Sequence, residues 1–240
     1  MKTQNEIAVI MAAGTGTRML PLTKTIAKPL IPVLDIPMIE TVINALKKRN
    51  PSKIYIVVGY KKEQFEYLKK KYENIELIEN TEYLEKNNIS SLKAAKNMLG
   101  KENCFICEAD LYINDDSIFQ HEFKQSCYFG KFIEGYSDDW VFEMDNDRII
   151  NIKKEGNSLF NMAGISYWIS EDVAEIAKAL DAAYKEPEHV KLFWDEVVNR
   201  VLDKVKVGVY PIKPEQIIEL DSENDLNNLR THLQLSHNNA

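Results

Sequence analysis

Two glycines, an arginine and a lysine gather near the start of the chain. Residues 11–29 read MAAGTGTRMLPLTKTIAKP, so Gly14 and Gly16 are followed closely by Arg18 and, ten residues later, by Lys28. Glycines allow positive φ and close backbone approach, which lets several N–H groups point at anionic oxygens. Arg18 adds a planar fork of donors and Lys28 a mobile point charge. That combination suits a polyphosphate. The spacing matches neither standard glycine signature. Gly14 lacks the second glycine of a Walker loop, and Met19 stands where a dinucleotide fingerprint has its third glycine. By spacing alone an ordinary strand-to-helix turn stays open.

Acidic residues form a second candidate group. Asp110 ends an apolar run in CEADLY, where it either caps the next turn or offers oxygen to a hard cation such as Mg²⁺. In IIELD, Glu219 and Asp221 are two apart and share a strand face. Asp110 with Asp221 would hold the cation that a nucleoside triphosphate brings. A third group mixes aromatic and acidic side chains. Trp140 follows Asp138-Asp139, Phe193-Trp194 precedes Asp195-Glu196, and Tyr112 lies two residues after Asp110. Aromatic faces beside carboxylates bind quaternary ammonium groups through cation–π attraction. The competing reading is core packing, strongest for Trp194, whose helical stripe continues through Val198 and Val201.

The elements that must position these residues alternate. Strands are expected at about 6–11, 54–58, 75–78 and 104–109, with helices at 37–49, 61–72 and 89–99, the last ending at a Gly100 cap. This βαβα order predicts an α/β fold, a Rossmann-like doubly wound sheet whose ligand crevice lies beyond the strands' carboxyl ends. The Gly14 loop, Gly59-Tyr60 and Asp110 all fall there. From 125 to 169 short strands are expected, including a hairpin over 139–152 turned by Asp145-Asn146-Asp147. Helices at 171–184 and 190–202, a strand at 205–211 and a last helix capped by Ser222 and Asp225 complete the pattern. No linker interrupts it, so residues 1–235 read as one domain. Residues 1–124 form its nucleotide-binding half, and 125–235 the acceptor-binding half, a small β-rich and helical lobe on the same sheet. The tail SHNNA reads as disordered.

Bulk properties narrow the classes. The chain has 240 residues, and its net charge of −7 argues against a nucleic-acid binder, which would carry a basic face. The opening MKTQNEIAVIMAAG has too short an apolar run for a signal peptide, and no stretch approaches a membrane span. A cytoplasmic location without membrane partners is expected. Cys104 and Cys107 form a C-x-x-C in an apolar strand, where an odd separation points the thiols to opposite faces. They read as core residues. Lys69, Lys70 and Lys71 read as a solvated helix face.

The loop A-A-G-x-G-x-R with its later Lys-Pro resembles the signature of sugar-nucleotide pyrophosphorylase-type nucleotidyltransferases. The blocks NNISSL (87–92), EADLY (108–112), DWVF (139–142), GISYW (164–168), LFWD (192–195) and ELDS (219–222) resemble, in order, those of bacterial CTP:phosphocholine cytidylyltransferases. Thr25-Ile26-Ala27 departs from the proline often found before the lysine. The resemblance implies transfer of CMP from CTP to phosphocholine, with Mg²⁺ as cofactor. It implies Arg18 on the β- and γ-phosphates, Lys28 at the α-phosphate and Asp110 and Asp221 on the metal. Ala12, Ala13, Gly14, Thr15, Gly16, Thr17, Gly59, Asn87 and Asn88 would bind the nucleotide. Tyr112, Trp140, Phe193, Trp194, Asp195 and Glu219 would surround the acceptor. Three rivals stay open: the same reaction on phosphoethanolamine or 2-aminoethylphosphonate, sugar-phosphate nucleotidyl transfer, and a non-catalytic nucleotide-binding regulator. A homodimer also stays open.

Overall fold

Apolar side chains face both ways from the first strand, and a central sheet follows from that. β1 (Glu6–Ala12) sends Ala8, Ile10 and Ala12 into one core cluster, and Ile7 and Val9 into another on the opposite face. Strands buried on both faces belong in the middle of a parallel sheet. The computed structural model describes residues 5–238, with side chains described as far as 235. In chain order after β1 come the short pair β2 (Pro32–Val33) and β3 (Ile36–Pro37), α1 (Met38–Lys47), β4 (Lys53–Val58), α2 (Glu66–Lys71) and β5 (Ile75–Glu79). α3 (Ile89–Ala94), β6 (Asn103–Glu108) and β7 (Leu111–Ile113) follow, then the long β8 (Ser126–Asp145) and β9 (Arg148–Trp168). α4 (Ser170–Ala183), α5 (Trp194–Asn199), β10 (Val207–Ile212), β11 (Ile217–Glu219) and α6 (Glu223–Asn238) complete the described residues.

The main sheet has seven strands in the order β10-β8-β9-β6-β1-β4-β5. β1 pairs in parallel with both β4 and β6, and β4 with β5, whereas β9 runs antiparallel to β6 and to β8. The fold is therefore mixed α/β with a sheet dominated by parallel pairs. Chain order reverses on either side of β1, and such a switch point opens a crevice beyond the carboxyl ends of the strands. Cys104 lies in one core cluster and Cys107 in the other, both buried and free.

Local geometry departs from the expected elements at several points. The expected helix over 61–72 begins as a 3-10 turn, Lys62–Phe65, because Lys61 takes a left-handed conformation with φ 52. The helix expected over 89–99 breaks after Ala94 and resumes as a 3-10 turn, Lys96–Met98, before Gly100 at φ +83. The helix expected over 190–202 is split into the end of a 3-10 turn, Pro187–Lys191, and the six residues of α5, since Phe193 between them is extended at φ −81, ψ 151. The short strands expected over 125–169 are instead β8 and β9. Their pairing is broken by register shifts, among them those between Ile133 and Tyr136 and between Ser137 and Trp140. Bulges of this kind interrupt strict alternation and make one strand read as several. Phe160 pairs with Phe132 on one side and Phe142 on the other, so the two strands curl back into a small β-rich lobe. Asn146-Asp147 turns the hairpin, with Asn146 at φ 52, a conformation asparagine tolerates. α6 takes in the first three residues of the tail expected to be disordered, and residues 239–240 lie outside the described residues. No described helix is long and apolar enough to cross a membrane.

Candidate active site

The phosphate-type loop leaves β1 at Ala12 and turns at Gly16, the one of its two glycines with positive φ. A Cβ on Gly16 would lie 2.7 Å from Lys28 Cβ, so the loop packs directly on the stem of that lysine. Thr23 Oγ1 donates to Gly16 O at 3.0 Å, and Tyr60 ties the loop twice, through its N–H to Ala13 O and its hydroxyl to Thr23 O. Gly59 supports from behind. A side chain there would strike the Tyr83 ring and Ala13 O, and the Tyr83 ring itself faces the cleft.

A small antiparallel pair assembles the charged centre. β11 pairs with β7 so that Glu219 opposes Leu111, and Leu220 N–H donates to Asp110 O at 3.1 Å. Residues far apart in the chain thus become neighbours. Asp221 is held at the start of α6 by a reciprocal cap, with Asp225 accepting from Ser222 N–H and Ser222 Oγ from Asp225 N–H. Lys28 Nζ donates to Asp110 Oδ2 at 2.7 Å and to Asp221 Oδ1 at 2.8 Å, while Arg18 pairs with the other oxygen of Asp221. The four charges alternate in a chain, Arg18–Asp221–Lys28–Asp110. The Lys28 side chain is only 7% exposed, against 67% for Arg18. Burial alone would lower the Lys28 pKa, but Asp110 and Asp221 outweigh it and raise the value, so the cation is retained.

Beside this chain lies a knot of carboxylates. Glu108, Asp110 and Glu219 each bring an oxygen within 4.8 Å of the others. Burial and the charges of Asp110, Asp221 and Asp139 push Glu219 up to about 8. Burial, then Asp110, Glu219 and Asp195, push Glu108 well above the ordinary carboxylate range. Crowded oxygens short of positive charge fit a hard divalent cation. Asp110 belongs both to this knot and to the pair expected from the sequence, whereas Asp221 is not one of the three.

These groups line one cleft of about 680 Å³. Ala12, Ala13, Gly14, Thr15, Gly16, Thr17, Arg18, Asn87 and Asn88 border it, joined by Trp140, Phe193, Glu219 and Asp221. Gly59, Tyr112, Trp194 and Asp195 do not. Trp194 is buried against Tyr128 and Trp168, ring centroids 5.9 and 6.2 Å away. Asp195 is buried and accepts from Tyr128 Oη at 3.0 Å, and burial pushes its pKa up to about 7. Tyr112 packs partly buried on a third apolar cluster beneath β7. The reason for the Phe193–Trp194 division is local. Trp194 N–H donates to Asn88 Oδ1 at 2.9 Å and Phe193 N–H to the Glu196 carboxylate, so Phe193 is left on the cleft side of the helix start.

Asn87 and Asn88 are partly committed. Asn87 donates to Lys191 O and accepts from Asn88 N–H, and Asn88 keeps its amino group as a donor. Sequence reasoning missed Glu108, Lys154, Ser90 and Ser91 on the cleft wall. Glu108 stood inside the quoted EADLY block, two residues before Asp110, and the same strand-face argument used for Glu219 and Asp221 would have found it.

Against known proteins, residues 7–135 match the family model described as nucleotidyl transferase. The chain is 51% identical over 220 residues to the 2-aminoethylphosphonate cytidylyltransferase of Lancefieldella rimae, covering 91% of this chain and 89% of that one. It is 33% identical over 228 residues to the choline-phosphate cytidylyltransferase of Streptococcus pneumoniae, covering 95% and 98%. A solved CTP:phosphocholine cytidylyltransferase from Streptococcus pneumoniae superposes with a TM-score of 0.87 at 32% identity, covering 95% of this chain and 99% of that one. The chain belongs to the nucleotidyl transferase family. Within that family its full-length likeness is to the cytidylyltransferases.

Proposed function

We propose that this enzyme transfers CMP from CTP to 2-aminoethylphosphonate, giving the CMP-linked aminophosphonate and pyrophosphate. The observation that carries the choice of acceptor is the chemistry of the cleft wall. Glu108, Asp138, Asp139 and Glu219 line it alongside the aromatic Tyr83, Trp140 and Phe193. A primary ammonium donates hydrogen bonds and is well served by carboxylates, whereas trimethylammonium has no donor and depends on ring faces. The likeness to the Lancefieldella rimae enzyme supports the same acceptor.

In this reading an acceptor phosphonate oxygen attacks the α-phosphorus of CTP in line. A new P–O bond forms as the bond to the bridging β-oxygen breaks, and pyrophosphate carries the electron pair away. The phosphonate is already anionic, so no general base is required and catalysis is positioning with charge neutralisation. Lys28, fixed by the Gly16 turn, neutralises charge growing at the α-phosphate. Arg18, exposed at the cleft and paired with Asp221, holds the β- and γ-phosphates. Asn88 offers its amino group to the base, beside Ala12 and Ala13. Asp110 with Asp221 or Glu219 would hold Mg²⁺, which when bound supplies further positive charge to the phosphate oxygens. Three buried free thiols support a reducing, cytoplasmic setting.

Phosphocholine is the second reading, favoured by the Trp140–Phe193 pair, whose rings meet at 5.4 Å. Pyrophosphate release with CTP, Mg²⁺ and each acceptor decides between them. The expected result is a higher kcat/KM for 2-aminoethylphosphonate than for phosphoethanolamine or phosphocholine. A preference for phosphocholine overturns the proposal.

A further inference from the structure

Strand register sets Lys154 on β9 directly across from Trp140 on β8. Its neighbour Lys153 pairs with Glu143, but Lys154 turns its ammonium to aromatic faces. Nζ lies 5.3 Å from the Trp140 centroid and 4.9 Å from that of Phe193. The two rings meet edge to face with centroids 5.4 Å apart, and Phe193 N–H donates to the Glu196 carboxylate at the start of α5. All three side chains line the cleft.

We propose that Lys154 determines acceptor specificity, its own ammonium occupying the ring faces that a quaternary ammonium would need. An aromatic pair at this position reads on its own as a choline site. With a built-in cation over both rings, a second one meets like-charge repulsion and finds the favourable faces taken. A primary-ammonium acceptor is spared that competition, because it bonds to carboxylates instead. Discrimination then comes from rejecting the wrong acceptor as much as from holding the right one. This rests on the reading of the cleft as an aminophosphonate site, yet the two can fail separately.

The test compares kcat/KM for phosphocholine and 2-aminoethylphosphonate, with CTP and Mg²⁺, in wild type, Lys154→Met and Lys154→Arg. Lys154→Met is expected to raise the phosphocholine-to-aminophosphonate ratio by about two- to thirtyfold, the range of one cation–π contact. Lys154→Arg, which keeps a cation over the rings, is expected to stay near the wild-type ratio. Calorimetric titration with choline itself should show tighter binding to Lys154→Met than to wild type. An unchanged ratio in Lys154→Met, or an arginine variant that behaves like methionine, overturns the assignment. Should the methionine variant misfold, as judged by its thermal midpoint, Lys154→Gln carries the same comparison. Wild-type preference judges only the acceptor of the proposed reaction, and the shift in ratio judges only the lysine.

Discussion

Lys28 is the residue on which the geometry converges. It is buried, held between two carboxylates, and its stem is packed on the Gly16 turn. A cation aimed at charge that develops during reaction acts on kcat more than on substrate affinity. Lys28→Met is therefore expected to lower kcat by about 10²-fold or more, with a smaller change in the KM for CTP. Arg18→Ala should do the reverse, mainly raising that KM, because its phosphates are charged before reaction begins. Steady-state pyrophosphate release measures both, and a Lys28→Met enzyme with normal kcat contradicts the assignment. The sequence singled out Arg18, Lys28, Asp110 and Asp221 through the glycine loop and the resemblance of its blocks, and the fold brings the four side chains together. Lys154 was not singled out. A lysine in a polar strand reads as solvent-facing, and only the pairing register reveals that Trp140 is its partner. The choice between Phe193 and Trp194 was equally hidden, since it depends on the local path of the helix start, where Trp194 N–H donates to Asn88 Oδ1.

At the scale of elements, parallel strands buried on both faces give long apolar runs, and β1, β4 and β6 were legible for that reason, while the edge strand β5 showed as a shorter alternating run. β8 and β9 were not, because register shifts break the alternation that marks a strand. The glycine loop gives a sharp test of how an element positions chemistry. Gly16 sits at φ +65, and an added Cβ would press on Lys28 Cβ at 2.7 Å. Gly16→Ala should cost about 1–2 kcal/mol for the left-handed backbone, visible as a lower urea midpoint. It should also reduce kcat, because the lysine stem must move. Loss of stability with unchanged kcat would mean that the turn does not set the position of Lys28.

At the scale of the whole molecule, stability should depend on pH through groups buried beneath the cleft. Asp195 is enclosed between the sheet and α5, and burial pushes its pKa from 3.8 to about 7. The folded protein therefore keeps this proton over a range where the unfolded chain has lost it. Its contribution to stability is full below about pH 4, declines as pH rises towards 7 and then levels off. Glu219, raised to about 8, acts with the same sign. Asp195→Asn should make the decline shallower between pH 4 and 7, leaving the part due to Glu219 and to Glu108, whose pKa burial also raises. Urea midpoints across that range test it, and a decline as steep as in wild type would exclude Asp195 as a source.

The alternating chain Arg18–Asp221–Lys28–Asp110 joins residues separated by 203, 193 and 82 positions. Protein synthesis is vectorial, so these partners emerge from the ribosome far apart in time. The glycine loop and Lys28 are made early, but Lys28 has only Asp110 to meet until β11 and Asp221 follow. A growing chain thus carries the glycine loop long before it carries all four partners, and the alternating chain closes only when Asp221 folds onto Lys28 and Arg18.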